Sequence, residues 1–154
     1  MKFNYDIKFT DNTPRLHEAL DSWAKRVLTR WGMTVQDYAQ LLVPTGAENS
    51  THIEGYVGGA LKQSLTFALD LAKKTVTIGS NLFYSVYVEL GTGVHATNGN
   101  GRKTPWVWKD FNGKWHFTRG MKAANDGKGF LRPAVEDHID ELREIAVEEA
   151  NKEA

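Results

Sequence analysis

Glu89 lies in the stretch YSVYVELGTG (84–93), where an apolar run ends in Gly91-Thr92-Gly93. A carboxylate beside a glycine turn raises two chemistries, general acid–base catalysis and phosphate binding. Carboxylate catalysis calls for a partner group or a shifted pKa, and the next carboxylate in the chain is Asp110. A phosphate loop places Lys and Ser/Thr where the glycine turn opens a helix. Here Lys103 follows ten residues after Gly93, with no helical pattern between. Glu89 is therefore read as a structural group that accepts from a backbone amide or pairs with a basic residue, in its own subunit or the next.

Other chemistries find less support. His17, His52, His95, His116 and His138 form no ligand spacing such as HExxH. Ser50, Ser64 and Ser85 lack a nucleophile-elbow context. The absence of cysteine removes disulfides, thiolate catalysis and Cys-based zinc sites. No enzyme motif, cofactor or metal is expected. Lys plus Arg and Asp plus Glu number 19 each, and the zero balance argues against bulk nucleic-acid affinity and does not oppose self-association. A local alternative is a single-stranded nucleic-acid-binding module, with Trp106, Trp108 and Trp115 stacking on bases beside Arg102, Lys103 and Lys109. The simpler expectation is an aromatic cluster of Trp106 and Trp108 with Trp115 or Phe117 across a hairpin.

The elements that must position these groups follow from periodicity. Phe3, Tyr5, Ile7 and Phe9 alternate as a strand. Thr13 as N-cap and Pro14 at the first helical position open a helix whose stripe runs Leu16, Leu20, Trp23, Val27, Trp31. Gly32 leaves either one helix of about 28 residues or two abutting helices, ended by Pro44 and Gly46. Residues 45–60 form a polar, glycine-rich loop; LKQSLTFALD (61–70) and KKTVTIG (73–79) are expected to pair as a hairpin. SNLFYSVYVEL (80–90) fits a strand by alternation and a helix by the spacing of Phe83, Tyr84, Tyr87 and Val88.

Residues 91–105 hold four glycines and form the segment with the most freedom. WVWKDFNGKWHFT (106–118) is a hairpin turning around Asn112-Gly113. A second loop (119–129) precedes a helix beginning at Pro133 and running to the C-terminus, with Val135, Ile139, Leu142, Ile145 or Ala146, and Glu149 on one stripe. Phe130 or Leu131 would staple its start. The expected fold is α+β, one domain over 1–154: a long N-terminal helix, an antiparallel sheet of about four to six strands with hairpins and long loops, and an amphipathic C-terminal helix. The N-terminal MKFNYDIKF lacks a secretory apolar core, and no run approaches the roughly 20 apolar residues of a membrane helix.

Taken in order, LLVPTG (41–46), LKQSL (61–65), IGSN (78–81), YSVYVELGT (84–92) and FLRPA (130–134) resemble the small head–tail joining and minor tail-component proteins of long-tailed double-stranded-DNA bacteriophages. The resemblance spans about residues 39–149. It departs from the family pattern at 47–60, which reads as an insertion between Thr45-Gly46 and Leu61.

The resemblance implies a structural virion protein of the neck or tail-completion layer. Such a protein forms a homo-oligomeric ring of about six or twelve copies around the DNA channel, without sequence-specific DNA contact. Its implied partners are a head-completion or connector protein and a tail tube or tail terminator protein. It would reside in host cytoplasm before assembly and in the virion afterwards, with no membrane association. The expected interface residues are Glu89, Thr92, His95, Arg102, Lys103 and Arg132. Glu89 is expected to pair with Arg132 or with a basic residue of the next subunit, so that Glu89→Gln would weaken the ring with little effect on monomer folding.

Overall fold

A computed structural model describes residues 11–45 and 59–152. The expected strand at 3–9, the Gly46 stop, residues 46–58 of the polar loop and the last two residues of the C-terminal helix lie outside them. Helix α1 (Thr13–Leu42) is one unbroken helix. Thr13, expected as its cap, is its first residue, and its N–H donates to Asp11 Oδ1 at 2.9 Å. Pro14 fits the first turn, where no intrahelical donor is needed. Gly32 does not break α1. It is buried against the Phe67 ring, where a Cβ would overlap the aromatic carbons.

After α1 come α2 (Ala60–Ser64), β1 (Leu65–Asp70) and β2 (Thr75–Ser80). The first half of the expected strand 61–70 is thus a helical turn, which lets Leu61 and Leu65 both enter the core. The hairpin itself forms as expected, with Leu65 opposite Ser80 and Asp70 opposite Thr75. The YSVYVEL stretch resolves as helix α3 (Ser85–Leu90) rather than a strand. Tyr84 and Val88, one turn apart, both pack on the core, as helical spacing demands.

Strands β3 (Trp106–Lys109) and β4 (Trp115–Thr118) form a second two-stranded sheet, so the described strands make two small sheets instead of one larger one. A short turn, α4 (Ala124–Gly127), has Asn125 and Asp126 at left-handed φ of 52° and 55°. The C-terminal helix is divided into α5 (Leu131–Glu136) and α6 (Ile139–Asn151), broken at Asp137-His138.

Helix α1 packs against α5, α6 and the β1–β2 hairpin. The core holds Val35, Ala39, Leu61, Leu65, Phe130 and Leu142, among others. Helix α6 runs antiparallel to α1, and two indoles stitch the pair: Trp31 Nε1–H donates to Leu142 O at 2.6 Å, Trp23 Nε1–H to Ala146 O at 3.1 Å. Leu16 and Leu20, at the start of the expected stripe, are exposed. Val135 and Ile139, expected on the inner stripe, are exposed too, because the break at Asp137-His138 resets the helix phase.

Glu149 is 1% exposed at the end of the inner stripe. Its carboxylate meets Arg26 Nε at 3.0 Å, Arg30 Nη1 at 2.9 Å and Lys152 Nζ at 2.6 Å. Lys152 first, then the two arginines, hold its pKa down at about 2 against an ordinary 4.5, outweighing the opposing effect of burial. A buried carboxylate is tolerated only with such partners.

Candidate functional site: the Glu89 node and the aromatic hairpin

Helix α3 aims Glu89 at the start of α5. Its Oε2 accepts the N–H groups of Phe130 at 2.7 Å and Leu131 at 2.9 Å, and Oε1 accepts the Arg132 N–H at 3.2 Å. These are donors that a helix start leaves without intrahelical partners, and a carboxylate satisfies them with charge-assisted bonds. Of the alternatives open for Glu89, the backbone-amide one is observed. Arg132 takes part through its amide, while its guanidinium donates to Lys128 O at 3.0 Å.

Gly129 makes the approach possible: at φ 82° it has no strain, and a Cβ there would lie 2.6 Å from Glu89 Cδ. Asn125 Nδ2 donates to Gly129 O at 2.8 Å and to Leu42 O at 3.0 Å, tying this node to the end of α1. Phe130, fully buried, anchors the node in the core.

Beyond Glu89 the chain leaves α3 through Gly91 and Thr92. Thr92 N–H donates to Met121 O at 2.8 Å, and Thr92 Oγ1 accepts Met121 N–H at 2.9 Å. Val94 N–H donates to Arg119 O at 3.0 Å, and Thr97 N–H to Leu90 O at 2.9 Å. Gly93 sits at φ 61°, and any side chain there would collide with the Arg119 carbonyl. The root of the 91–105 loop is thus pinned to the segment that follows β4. Further on, Arg102 Nε–H donates to Thr104 Oγ1 at 2.8 Å, and the guanidinium lies 5.2 Å from the Trp106 ring centre. His95, Arg102 and Lys103 are exposed.

The β3–β4 register corrects the expected tryptophan cluster. Trp106 faces Thr118, Val107 faces Phe117, Trp108 faces His116 and Lys109 faces Trp115. A two-residue Asn112-Gly113 turn would have shifted the pairing by one and put the tryptophans together. Instead Asp110 pairs with Lys114 around a three-residue loop with Gly113 at φ 79°. The Asp110 carboxylate accepts the amides of Asn112 and Lys114, each at 2.9 Å, and meets His116 Nε2 at 2.8 Å. His116 first, then the Lys114 amide, hold the Asp110 pKa below the usual carboxylate range.

Because a one-residue slip reverses both faces of a hairpin, Trp108 stacks on His116, with ring centres 5.4 Å apart. Val107, Lys109, Trp115 and Phe117 share the outer face, where Lys109 Nζ lies 4.7 Å from the Trp115 ring centre. In-chain cations thus already occupy faces of Trp106 and Trp115, two of the three rings that base stacking would use, and His116 covers a face of the third, Trp108. On the inner side, Val86, Tyr87, Leu90, Met121 and Trp106 border an open groove of about 610 Å³.

The arrangement is that of a small α+β scaffold in which an internal carboxylate strut holds two halves of the chain together and an aromatic hairpin stands on the surface. A family model described as "Bacteriophage HK97-gp10, putative tail-component" matches residues 7–91, more than half of the chain, and the chain belongs to that family. Its role is accordingly structural and tail-related, in the virion. The matched stretch runs through α3, so Glu89 lies inside it and the amides it holds lie beyond it. No curated protein and no solved structure matches the chain. No described helix is long and apolar enough to cross a membrane.

Proposed function

We propose that this chain, as a single domain, is a component of the head–tail junction, in the neck or tail-completion layer of a long-tailed phage. It forms a closed ring of about six or twelve copies around the DNA channel, between the head connector and the tail tube or terminator. DNA passes through without sequence-specific contact. The family match over 7–91 carries the proposal. The exposed hairpin with Val107, Trp115 and Phe117 supports it, since a contiguous apolar face on a small protein marks a contact surface. Thr92, His95, Arg102 and Lys103 lie on the loop offered as part of that interface, with Glu89 and Arg132 bracing it from behind.

Hydrogen exchange on free protein and on purified virions tests the proposal. Amides of 97–118 are expected to exchange more slowly in the virion. Equal rates in both states would contradict an interface there.

A further inference from the structure

The zero net charge hides two opposed patches. Residues 99–122 carry six exposed cations, Arg102, Lys103, Lys109, Lys114, Arg119 and Lys122, against the single carboxylate of Asp110. Residues 136–144 carry five exposed carboxylates, Glu136, Asp137, Asp140, Glu141 and Glu144, against the single arginine Arg143. Later acidic residues of α6 are already matched, with Arg30 holding Glu148 at 2.8 Å and three cations on Glu149.

Each patch surrounds exposed apolar groups. On the hairpin these are Val107, Trp115 and Phe117, which is 71% exposed. On α5–α6 they are Val135, Ile139 and Val147, the last two on one side of α6 at i and i+8. The two surfaces are opposite in charge and alike in apolar content, and they belong to different elements of the chain.

We propose that the outer face of the β3–β4 hairpin docks on the α5–α6 face of a second copy of this chain, head to tail. A contact between two different patches leaves one of each free on every pair, so it propagates, and it closes as a ring when the rotation per copy divides the full circle. Lys109, on that outer face, then meets the acidic rim of α5–α6, which sets orientation and speeds encounter. A lone two-stranded hairpin is marginal in water, and the neighbour's helices supply the missing layer. The inference rests on the ring reading and names its contact.

The absence of cysteine permits a direct test. Phe117→Cys and Ile139→Cys are made in separate full-length chains, checked for native circular dichroism, then mixed and oxidised. The mixture is expected to give several-fold more disulfide-linked pairs than either variant alone, with the yield falling in high salt. In parallel, Lys109→Glu or Glu144→Lys should each weaken association about tenfold by light scattering, and mixing the two variants should restore it.

Efficient linking of Phe117→Cys to itself would overturn the proposal, since it marks a symmetric contact. Oligomers that form without the mixed cross-link would overturn this contact and leave the ring standing. A chain that stays monomeric at every concentration would overturn both. If Lys109→Glu abolishes binding of single-stranded DNA while oligomers are unaffected, the occupant of the hairpin is nucleic acid and the proposal fails.

Discussion

The Glu89 carboxylate lies 2.7 Å from the amide nitrogen of Phe130 and also holds the amides of Leu131 and Arg132. It joins two motifs that stand 41 residues apart in the chain. One contributes the acid at the end of α3. The other contributes the uncapped start of α5 and, through Phe130, an anchor in the core.

A glutamine at position 89 keeps the shape but replaces one acceptor with an NH₂ group that faces an amide donor. Loss of a charge-assisted acceptor from partly buried donors costs about 2–3 kcal/mol. Glu89→Gln is therefore expected to lower the melting temperature of the monomer by roughly 4–10 °C in calorimetry. This differs from the expectation drawn from sequence, in which only ring formation suffered. An unchanged melting temperature would show that Glu89 does its work between subunits.

Gly129 is coupled to the same node. Gly129→Ala pushes a Cβ into the Glu89 carboxylate and strains a backbone at φ 82°. Glu89→Ala removes the clash but leaves the strain. Denaturant unfolding of the two single variants and the double should show non-additivity of about 1 kcal/mol or more. Simple additivity would mean that the two residues do not meet as described.

Gly32 tests whether packing outranks propensity in α1. Alanine is favoured over glycine by about 1 kcal/mol in a helix interior, yet the Phe67 ring occupies the space a Cβ needs. Gly32→Ala is expected to destabilise the chain by about 1–3 kcal/mol, and Phe67→Leu should recover part of the loss. A stabilised single variant would refute the close α1–β1 contact.

Glu149 predicts the acid limb of stability. Its pKa is lowered in the folded chain, so its contribution is complete above its ordinary 4.5 and is lost as pH falls toward about 2. Glu149→Gln should be less stable than the parent at pH 7, with the difference shrinking between these two values. Stability curves of parent and variant that run parallel through that range would contradict the assigned partners.

Much of the scaffold was legible because it depends on local signals. The long helix, both hairpins and the helical C-terminus follow from spacing and turn residues. The misses have definite physical causes. The stretch 80–90 fits both periods, and the packing of Tyr84 and Val88 on the core goes with the helix. The Asn112-Gly113 signal located the β3–β4 turn but not its register, which Asp110 sets by accepting two turn amides and contacting His116. Glu89 stood out as a carboxylate in need of a partner. Its partners, 41 to 43 residues away, are backbone amides that carry no side-chain signal. Glu149 lies on the apolar stripe with Lys152 one turn on, but its other two cations, Arg26 and Arg30, come from the opposite end of the chain.

We propose that this tail component works as a ring at the head–tail junction. Electron cryomicroscopy of purified virions tests it most directly. A closed ring of this chain is expected between connector and tail, with the β3–β4 hairpin of each copy buried against its neighbour. Density for the chain elsewhere in the tail, or single copies without mutual contact, would contradict it.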